Sequence, residues 1–133
     1  MSVGAIKLDI LPNVRDGRGT LTVADFAATV PFPVVRLFYI RDVPPGTCRG
    51  RHAHRLCSQY MICISGKVEI NVTDGKQERS LELAPGNAVL IAPGIFAAET
   101  YKDPDTILLV LCDRPYEAED YIHSLEELRT EAP

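Results

Sequence analysis

Short β-rich runs recur along almost the whole chain, and each is bounded by glycine, proline, asparagine or aspartate. Many short strands at a spacing of about 8–12 residues are typical of β-sandwiches and β-barrels. Helical periodicity is almost absent before residue 120. The pattern therefore predicts an all-β fold. The predicted strands are 6–11, 20–23, 34–43, 48–54, 59–64, 67–73, 79–83, 88–92, 96–101 and 106–112.

Two local signals add detail to this prediction. Asp74-Gly75 lies between two β-rich runs and is a strong hairpin signal, because both residue types tolerate the backbone of a tight turn. Near the end of the chain, Ser124 is followed three residues later by Glu127, which is the capping-box pattern of a helix start. We therefore expect one short C-terminal helix after the last strand.

Composition predicts one globular domain over residues 1–133. A length of 133 residues suits a single domain, and 46% hydrophobic residues are enough to form a core. The sequence shows no repeats and no long linker. The net charge of −4 argues against nucleic acid as a partner, since such binding depends on many cationic contacts with phosphates. A few local arginines would still suffice for a small phosphorylated ligand.

The termini and the cysteines indicate a cytoplasmic protein. No apolar run approaches the roughly 18–20 residues of a membrane span, and the N-terminus does not have the pattern of a secretory signal. None of the four cysteines forms a C-x-x-C pair, so we expect free thiols that behave as small buried hydrophobes. The alternative is a reactive thiol near the two histidines described next.

The chemically informative segment is 46–66, which contains His52 and His54. Two side chains spaced i, i+2 on a strand lie on the same face, and on a barrel strand that face can be the interior. Imidazoles exchange protons near neutral pH, so such a pair can supply a base and an acid. The structural alternative for each histidine is a hydrogen-bonded residue without a chemical role.

This segment resembles the first sequence motif of the cupins, which are small jelly-roll barrels built as a double-stranded β-helix. The spacing matches throughout, from Gly46 through the two histidines and position 59 to Gly66. In metal-binding cupins position 59 is Glu, and a second motif supplies a further His three residues past a Pro-Gly. Here these positions hold Gln59 and Ala97. Glu99 could substitute for the missing His, but the departures favour a site without metal.

Further motifs resemble the sugar 3,4-ketoisomerases, a cupin group that also occurs as the WxcM-like domain. The run 49–54 reads Arg-Gly-Arg-His-Ala-His and is similar to the R-G-x-H-A-H signature of that group. Residues 16–21 resemble its D-x-R-G-x-L opening, and 31–40 resemble its P-F-x-x-x-R-x-x-Y-I stretch. The runs 108–111 and 116–122 resemble its closing segments. The resemblance covers residues 15 to 128, but the family's Trp segment is replaced here by Phe96-Ala97-Ala98.

The resemblance implies an isomerase that converts dTDP-4-keto-6-deoxy-D-glucose to a dTDP-3-keto-6-deoxyhexose through an enediol. It implies His52 as the base at C3 and His54 as the proton relay, with no metal and no other cofactor. It also implies a homodimer in deoxysugar biosynthesis. The residues expected to bind the substrate are Arg18, Arg36, Tyr39, Arg49, Arg51, Gln59 and Phe96.

Two alternatives remain open from the sequence. One is a metal-dependent cupin enzyme, against which the residues at positions 59 and 97 speak. The other is a non-catalytic module that binds a dTDP-sugar. This alternative stays open because Ala97 and Ala98 lack the polar groups that the family has there. Outside the site, Glu117, Glu119 and Asp120 form an acidic run that we interpret as solvated surface.

Overall fold

The computed structural model describes residues 2–131, so Met1, Ala132 and Pro133 of the predicted 1–133 domain lie outside the described residues. Twelve strands and one α-helix make up most of that range. They are β1 (Leu8–Ile10), β2 (Asn13–Asp16), β3 (Gly19–Thr22), β4 (Arg36–Ile40), β5 (Cys48–His54), β6 (Gln59–Ser65), β7 (Val68–Thr73), β8 (Glu78–Leu83), β9 (Asn87–Ile91), β10 (Phe96–Tyr101), β11 (Ile107–Cys112), β12 (Tyr121–Ile122) and α1 (Leu125–Glu131).

Two five-stranded antiparallel sheets form the body of the fold. The first has the order β1-β9-β6-β11-β4 and the second β12-β5-β10-β7-β8, while β2 and β3 form a separate hairpin. Alternation gives several strands one buried face, as in β7, where Val68, Ile70 and Val72 are buried and the residues between them are not. These buried side chains meet those of the first sheet in one apolar cluster. The predicted all-β jelly-roll architecture is therefore confirmed.

The sequence missed two strands. Every residue of β2 is exposed, so the strand carries no hydrophobic alternation and exists through its pairing with β3. Strand β12 has only two residues and exists because Tyr121 and Ile122 pair with His54 and Ala53 of β5. Pairing of this kind is a tertiary contact, and local propensity cannot reveal it.

The C-terminal helix forms where the capping box predicted it. The Glu127 N–H donates to Ser124 Oγ at 3.0 Å, and the Glu127 carboxylate accepts from the His123 N–H at 3.2 Å. Arg55, directly after β5, ties the helix down through ion pairs with Glu127 at 2.8 Å and Glu131 at 2.6 Å. The helix therefore covers the outside of β5. Within residues 2–131, no helix has both the length and the apolar character needed to cross a membrane.

Candidate active site

A β-bulge in β5 sets the direction of the two histidines. Ala97 of β10 pairs with His52, whereas the next residue pairs with Gly50, so Arg51 is the extra residue. Gly50 and Arg51 both have positive φ, of 84° and 60°. Position 50 also has no room for a side chain, because a Cβ there would lie 2.0 Å from Glu99 Oε2. The bulge leaves Arg51 exposed and places His52 on the inner face with Ala97.

His54 forms a buried dyad with Asp120. The two residues are 5% and 6% exposed, and His54 Nδ1 lies 2.8 Å from Asp120 Oδ2. The Asp120 carboxylate also accepts from the N–H groups of Leu56 at 2.7 Å and Cys57 at 3.3 Å. Burial acts to raise the pKa of Asp120, but these hydrogen bonds outweigh it and hold that pKa below its usual value. Asp120 is therefore a buried anion at neutral pH.

The interpretation of Asp120 as solvated surface was wrong. A 3-10 turn over Ala118–Asp120 ends at β12 and brings the carboxylate beneath the loop that follows β5. The sequence signal that marks this residue is the Asp-Tyr-Ile run, which belongs to the same family motifs as the histidines, rather than the acidic run around it. Tyr121, the next residue, was also missed as a site residue.

His52 is half-buried beside this dyad. Its ring centroid lies 5.1 Å from that of His54 at an interplanar angle of 88°, and 4.9 Å from that of Tyr121. Burial and the neighbouring His54 lower the pKa of His52 to about 4, although a hydrogen bond to the Gly50 backbone opposes the shift. Burial likewise lowers the pKa of His54, against the pull of Asp120. Both imidazoles are therefore neutral at pH 7, which is the state a general base needs.

Arg36 supplies a positive charge next to the histidines. Its guanidinium carbon lies 4.8 Å from the centroid of the Phe38 ring and 5.5 Å from that of Tyr116. Burial raises the pKa of the Tyr121 phenol, and the Arg36 guanidinium beside it offsets part of that rise. The Tyr121 ring also lies 4.5 Å from His54, centroid to centroid. A cation and a phenol thus border the imidazole pair.

Gln59 lies inside the barrel, as expected for its position on the inner face of β6. It is 3% exposed, and its Nε2 donates to Cys112 Sγ at 3.7 Å. The Cys57 thiol donates instead to the Ser58 carbonyl oxygen at 3.4 Å. Gln59 therefore borders the site through a thiol, and not by a hydrogen bond to either imidazole.

The remaining predicted residues do not join this cluster within one chain. Phe96 packs on the opposite face of its sheet, beside a small apolar cluster of Ala53, Ile122 and Leu128, because it alternates with the inward-facing Ala97. Tyr39 is 58% exposed on the outer face of the first sheet. Arg18 lies at the tip of the β2–β3 hairpin, in an ion pair with Asp16 at 2.9 Å.

Arg49 and Arg51 are exposed residues of β5. Arg49 pairs in the sheet with Glu99 and lowers the pKa of that buried carboxyl, against the larger effect of burial. Arg51 is the bulged residue of the strand. Both are exposed on the strand that carries the histidines, so they can contact a ligand that binds beside that strand.

The metal set of the cupins does not fit these residues. Gln59 and Ala97 occupy two of the four ligand positions, and neither is a good ligand for a divalent cation. Between residues 2 and 131, the one group of metal-ligating side chains with ligand atoms within 4.8 Å of one another is His54, Cys57 and Asp120. His52 and Glu99 are not part of that group.

Comparison with known proteins places the chain in a family. The sequence profile of the family described as WxcM-like, C-terminal, matches residues 4–132. The chain belongs to this family. A TDP-4-oxo-6-deoxy-alpha-D-glucose-3,4-oxoisomerase of Aneurinibacillus thermoaerophilus is 28% identical to this WxcM-like chain over 118 residues, which are 87% of the chain and 84% of that relative.

Solved structures agree with that membership. A sugar 3,4-ketoisomerase from Thermoanaerobacterium thermosaccharolyticum, in complex with TDP, has a TM-score of 0.89 at 29% identity and covers 96% of this WxcM-like chain and 93% of its own. A 3,4-ketoisomerase from Helicobacter canadensis has a TM-score of 0.87 at 30% identity, with coverages of 95% and 96%. An asparagine-for-histidine variant of the Thermoanaerobacterium enzyme was solved with TDP-4-keto-6-deoxyglucose.

Proposed function

We propose that this WxcM-like chain is a sugar-nucleotide 3,4-ketoisomerase. Its substrate is dTDP-4-keto-6-deoxy-D-glucose and its product a dTDP-3-keto-6-deoxyhexose for deoxysugar biosynthesis. The observation that carries the proposal is the neutral His52 beside the buried His54–Asp120 dyad, in a chain whose solved relatives include 3,4-ketoisomerases. The hexose configuration at C4 is left open between galacto and gluco.

The reaction moves a carbonyl from C4 to C3 without net oxidation. A base removes the proton from C3, the electrons flow to O4 to give an enediol, and a proton returns to C4 while O3 becomes the new carbonyl oxygen. His52 is the base in this scheme. Its ring is neutral at pH 7 and half-buried beside the dyad, so it has a ring nitrogen with a lone pair that can accept the proton.

His54 acts as the proton relay. Asp120 accepts the hydrogen of Nδ1, so the neutral ring carries its lone pair on Nε2, which is buried and has no hydrogen-bond partner among the described residues. A buried carboxylate fixes the tautomer of an imidazole and stabilises its cation in the same way in other proton-transfer sites. Asp120 is thus a positioning residue that acts through His54.

Positive charges would stabilise the enediolate and the diphosphate. The charge of Arg36 acts on His54, and in this scheme it would stabilise the negative charge that develops on O4. Arg49 and Arg51 are exposed on the same strand as the histidines, and a guanidinium matches the geometry of phosphate oxygens. Gln59 borders the sugar site from inside the barrel.

The functional unit in this proposal is a homodimer. Leu37, Tyr39 and Ile64 are about half exposed on the outer face of the first sheet, next to Ile62 and Leu109 in the sheet register. A contiguous exposed apolar surface of this kind marks an interaction site. Arg18 and Tyr39 could contact a nucleotide only across such an interface, whereas Phe96 keeps a packing role. We place the dimer in the cytoplasm, where the four free cysteines would stay reduced.

The experiment is proton NMR of the full chain with dTDP-4-keto-6-deoxy-D-glucose in D₂O. We expect a new 3-keto sugar with solvent deuterium at C4, and no such product with His52→Asn. We expect Asp120→Asn to lower kcat by about 10²–10⁴-fold with a small change in KM, because the tautomer of His54 is lost while the binding groups remain. The C4 couplings then assign galacto or gluco configuration.

Other outcomes would overturn the proposal. An unchanged substrate with no exchange at C3 would exclude the isomerase. If dTDP still bound, a non-catalytic module would remain. Turnover that requires an added divalent metal would favour the metal-dependent cupin instead.

A further inference from the structure

Three buried donor side chains lie close together at His54, and two of them form the dyad already described. His54, Cys57 and Asp120 are all buried, and one ligand atom from each lies within 4.8 Å of the others. We propose that this cluster is a binding site for a thiophilic divalent metal of the Zn²⁺ class, and that its occupancy switches off His54.

The geometry is close to that of a tetrahedral ion. Bond lengths of about 2.0–2.3 Å place tetrahedral ligand atoms about 3.3–3.8 Å apart. His54 Nδ1 and Asp120 Oδ2 are 2.8 Å apart, and the Cys57 ligand atom lies within 4.8 Å of both. To admit an ion, the imidazole and the carboxylate would move apart by about 0.5–1 Å, and the thiol would move closer by at most about 1.5 Å.

The three side chains leave the fourth position of a tetrahedral ion to water, as in zinc sites with three protein ligands. A thiolate, an imidazole and a carboxylate form a donor set that suits zinc, whereas hard ions such as Mg²⁺ prefer oxygen ligands alone. The chemistry of the cluster therefore selects a thiophilic metal.

Metal binding changes what His54 can do. A metal at Nδ1 takes the place of the proton that Nδ1 donates to Asp120, and this single ring proton moves to Nε2, so that the ring stays neutral. The lone pair that accepts a proton in the relay is lost, and the thiol proton of Cys57 is released to solvent. The site is thus inhibitory, and it differs from the cupin metal set in its ligands, because it takes Cys57 and Asp120 and leaves out His52.

The test uses Co²⁺ as a spectroscopic substitute on the full, reduced and chelator-treated chain. We expect one equivalent to give the visible bands of tetrahedral cobalt and a thiolate-to-cobalt charge-transfer band, both removed by Zn²⁺. Cys57→Ser should lose the charge-transfer intensity of its thiolate and bind about tenfold or more weakly. His52→Asn should keep the spectrum.

Cys63→Ser is the matched control, because Cys63 is equally buried but faces the carbonyls of Ser65 and Gly66. It should leave the spectrum unchanged. A cobalt spectrum without tetrahedral bands, or one that is identical in Cys57→Ser, would overturn the proposal. If Cys57→Ser does not fold, zinc X-ray absorption on the unaltered chain decides: sulfur at about 2.3 Å supports the site, and oxygen and nitrogen alone refute it.

The consequence for catalysis is measured separately. Zn²⁺ should inhibit the isomerisation with the same saturation curve that the spectra give, and a chelator should restore it. The spectra need no sugar nucleotide, so a failure of the metal site and a failure of the isomerase proposal give different results. Saturated metal with undiminished turnover would refute the inhibitory role.

Discussion

At the residue scale, two buried carboxyl groups show how partners decide charge. Asp120 accepts hydrogen bonds from His54 and from two backbone N–H groups, and its pKa is held low. Glu99 is equally buried, but its Oε2 has no hydrogen-bond partner among the described residues. Burial raises the pKa of Glu99 to about 7, and Arg49 offsets only part of the shift. Asp120 is therefore a stable anion in the site, whereas ionised Glu99 destabilises the folded state.

The cost of Glu99 predicts a pH dependence of stability. The pKa of about 7 in the folded chain exceeds the ordinary value of 4.5, so the folded state binds the proton more tightly than the unfolded state. The stabilisation that comes from this bound proton is complete below pH 4.5 and is lost as the pH rises through 7. Glu99→Gln should remove this loss and raise the free energy of unfolding at pH 8 by up to about 3 kcal/mol.

Urea unfolding of both proteins at a series of pH values measures this difference. Glu82→Gln is the control, because Glu82 is exposed on β8 and should leave the profile unchanged. Parallel profiles for the unaltered chain and Glu99→Gln would show that Glu99 does not carry the effect.

At the element scale, the bulge in β5 is the device that points the histidines inward. Without the extra residue, the strand would carry its side chains in unbroken alternation from Cys48 to His54. Gly50 allows the bulge through its positive φ and through the room it leaves for the Glu99 side chain. The capped helix α1 then fixes the outer side of the strand through Arg55.

Gly50→Ala therefore tests the bulge. A Cβ would lie 2.0 Å from Glu99 Oε2 and 3.2 Å from the Ala97 carbonyl oxygen, at a φ of +84°. We expect a loss of about 1–3 kcal/mol in the free energy of unfolding. The double variant with Glu99→Ala should recover the part that comes from the clash and keep the part that comes from backbone strain.

Gly17→Ala is the matched control, since Gly17 has ordinary φ and a Cβ there would meet nothing within 4 Å. It should change stability by less than about 0.5 kcal/mol. Equal effects at the two glycines would argue that the bulge tolerates a side chain.

At the scale of the whole molecule, the two sheets differ in how their outer faces are covered. The helix and its apolar cluster cover part of the second sheet. The first sheet is covered in part by residues before β4, among them Val30 and Phe32, but the outer parts of β4 and β6 stay exposed and apolar. An uncovered apolar face on an edge strand favours association with a second copy.

Leu37→Lys tests the proposed homodimer. Leu37 is 51% exposed on β4, an edge strand of the first sheet. The Leu37→Lys protein should therefore fold normally, and the charge of the lysine should oppose association. Light scattering after size exclusion should give the mass of two chains for the unaltered protein and of one chain for the variant. Gln77→Lys, at the tip of the β7–β8 hairpin, adds the same charge elsewhere and should stay dimeric. A monomeric unaltered protein would refute the dimer.

Much of the fold was readable from the sequence because its signals are local. The Asp74-Gly75 turn, the capping box at Ser124 and the alternation in β7 each depend on residues a few positions apart. The spacing of His52 and His54 likewise placed both on one strand. The motifs around them were enough to predict the family to which the chain belongs.

Only the tertiary structure decided which residues surround those histidines. Asp120 is 66 positions from His54 in the chain, and it reaches the imidazole because β12 pairs with β5. The sequence predicted a ligand contact for Phe96. Alternation along β10 with the inward-facing Ala97 places Phe96 on the outer face of its sheet. Local pattern determines the period of a strand, whereas pairing and burial determine which face meets the site. The chain thus specified its barrel and its two imidazoles locally, and long-range packing supplied the carboxylate that orients one of them.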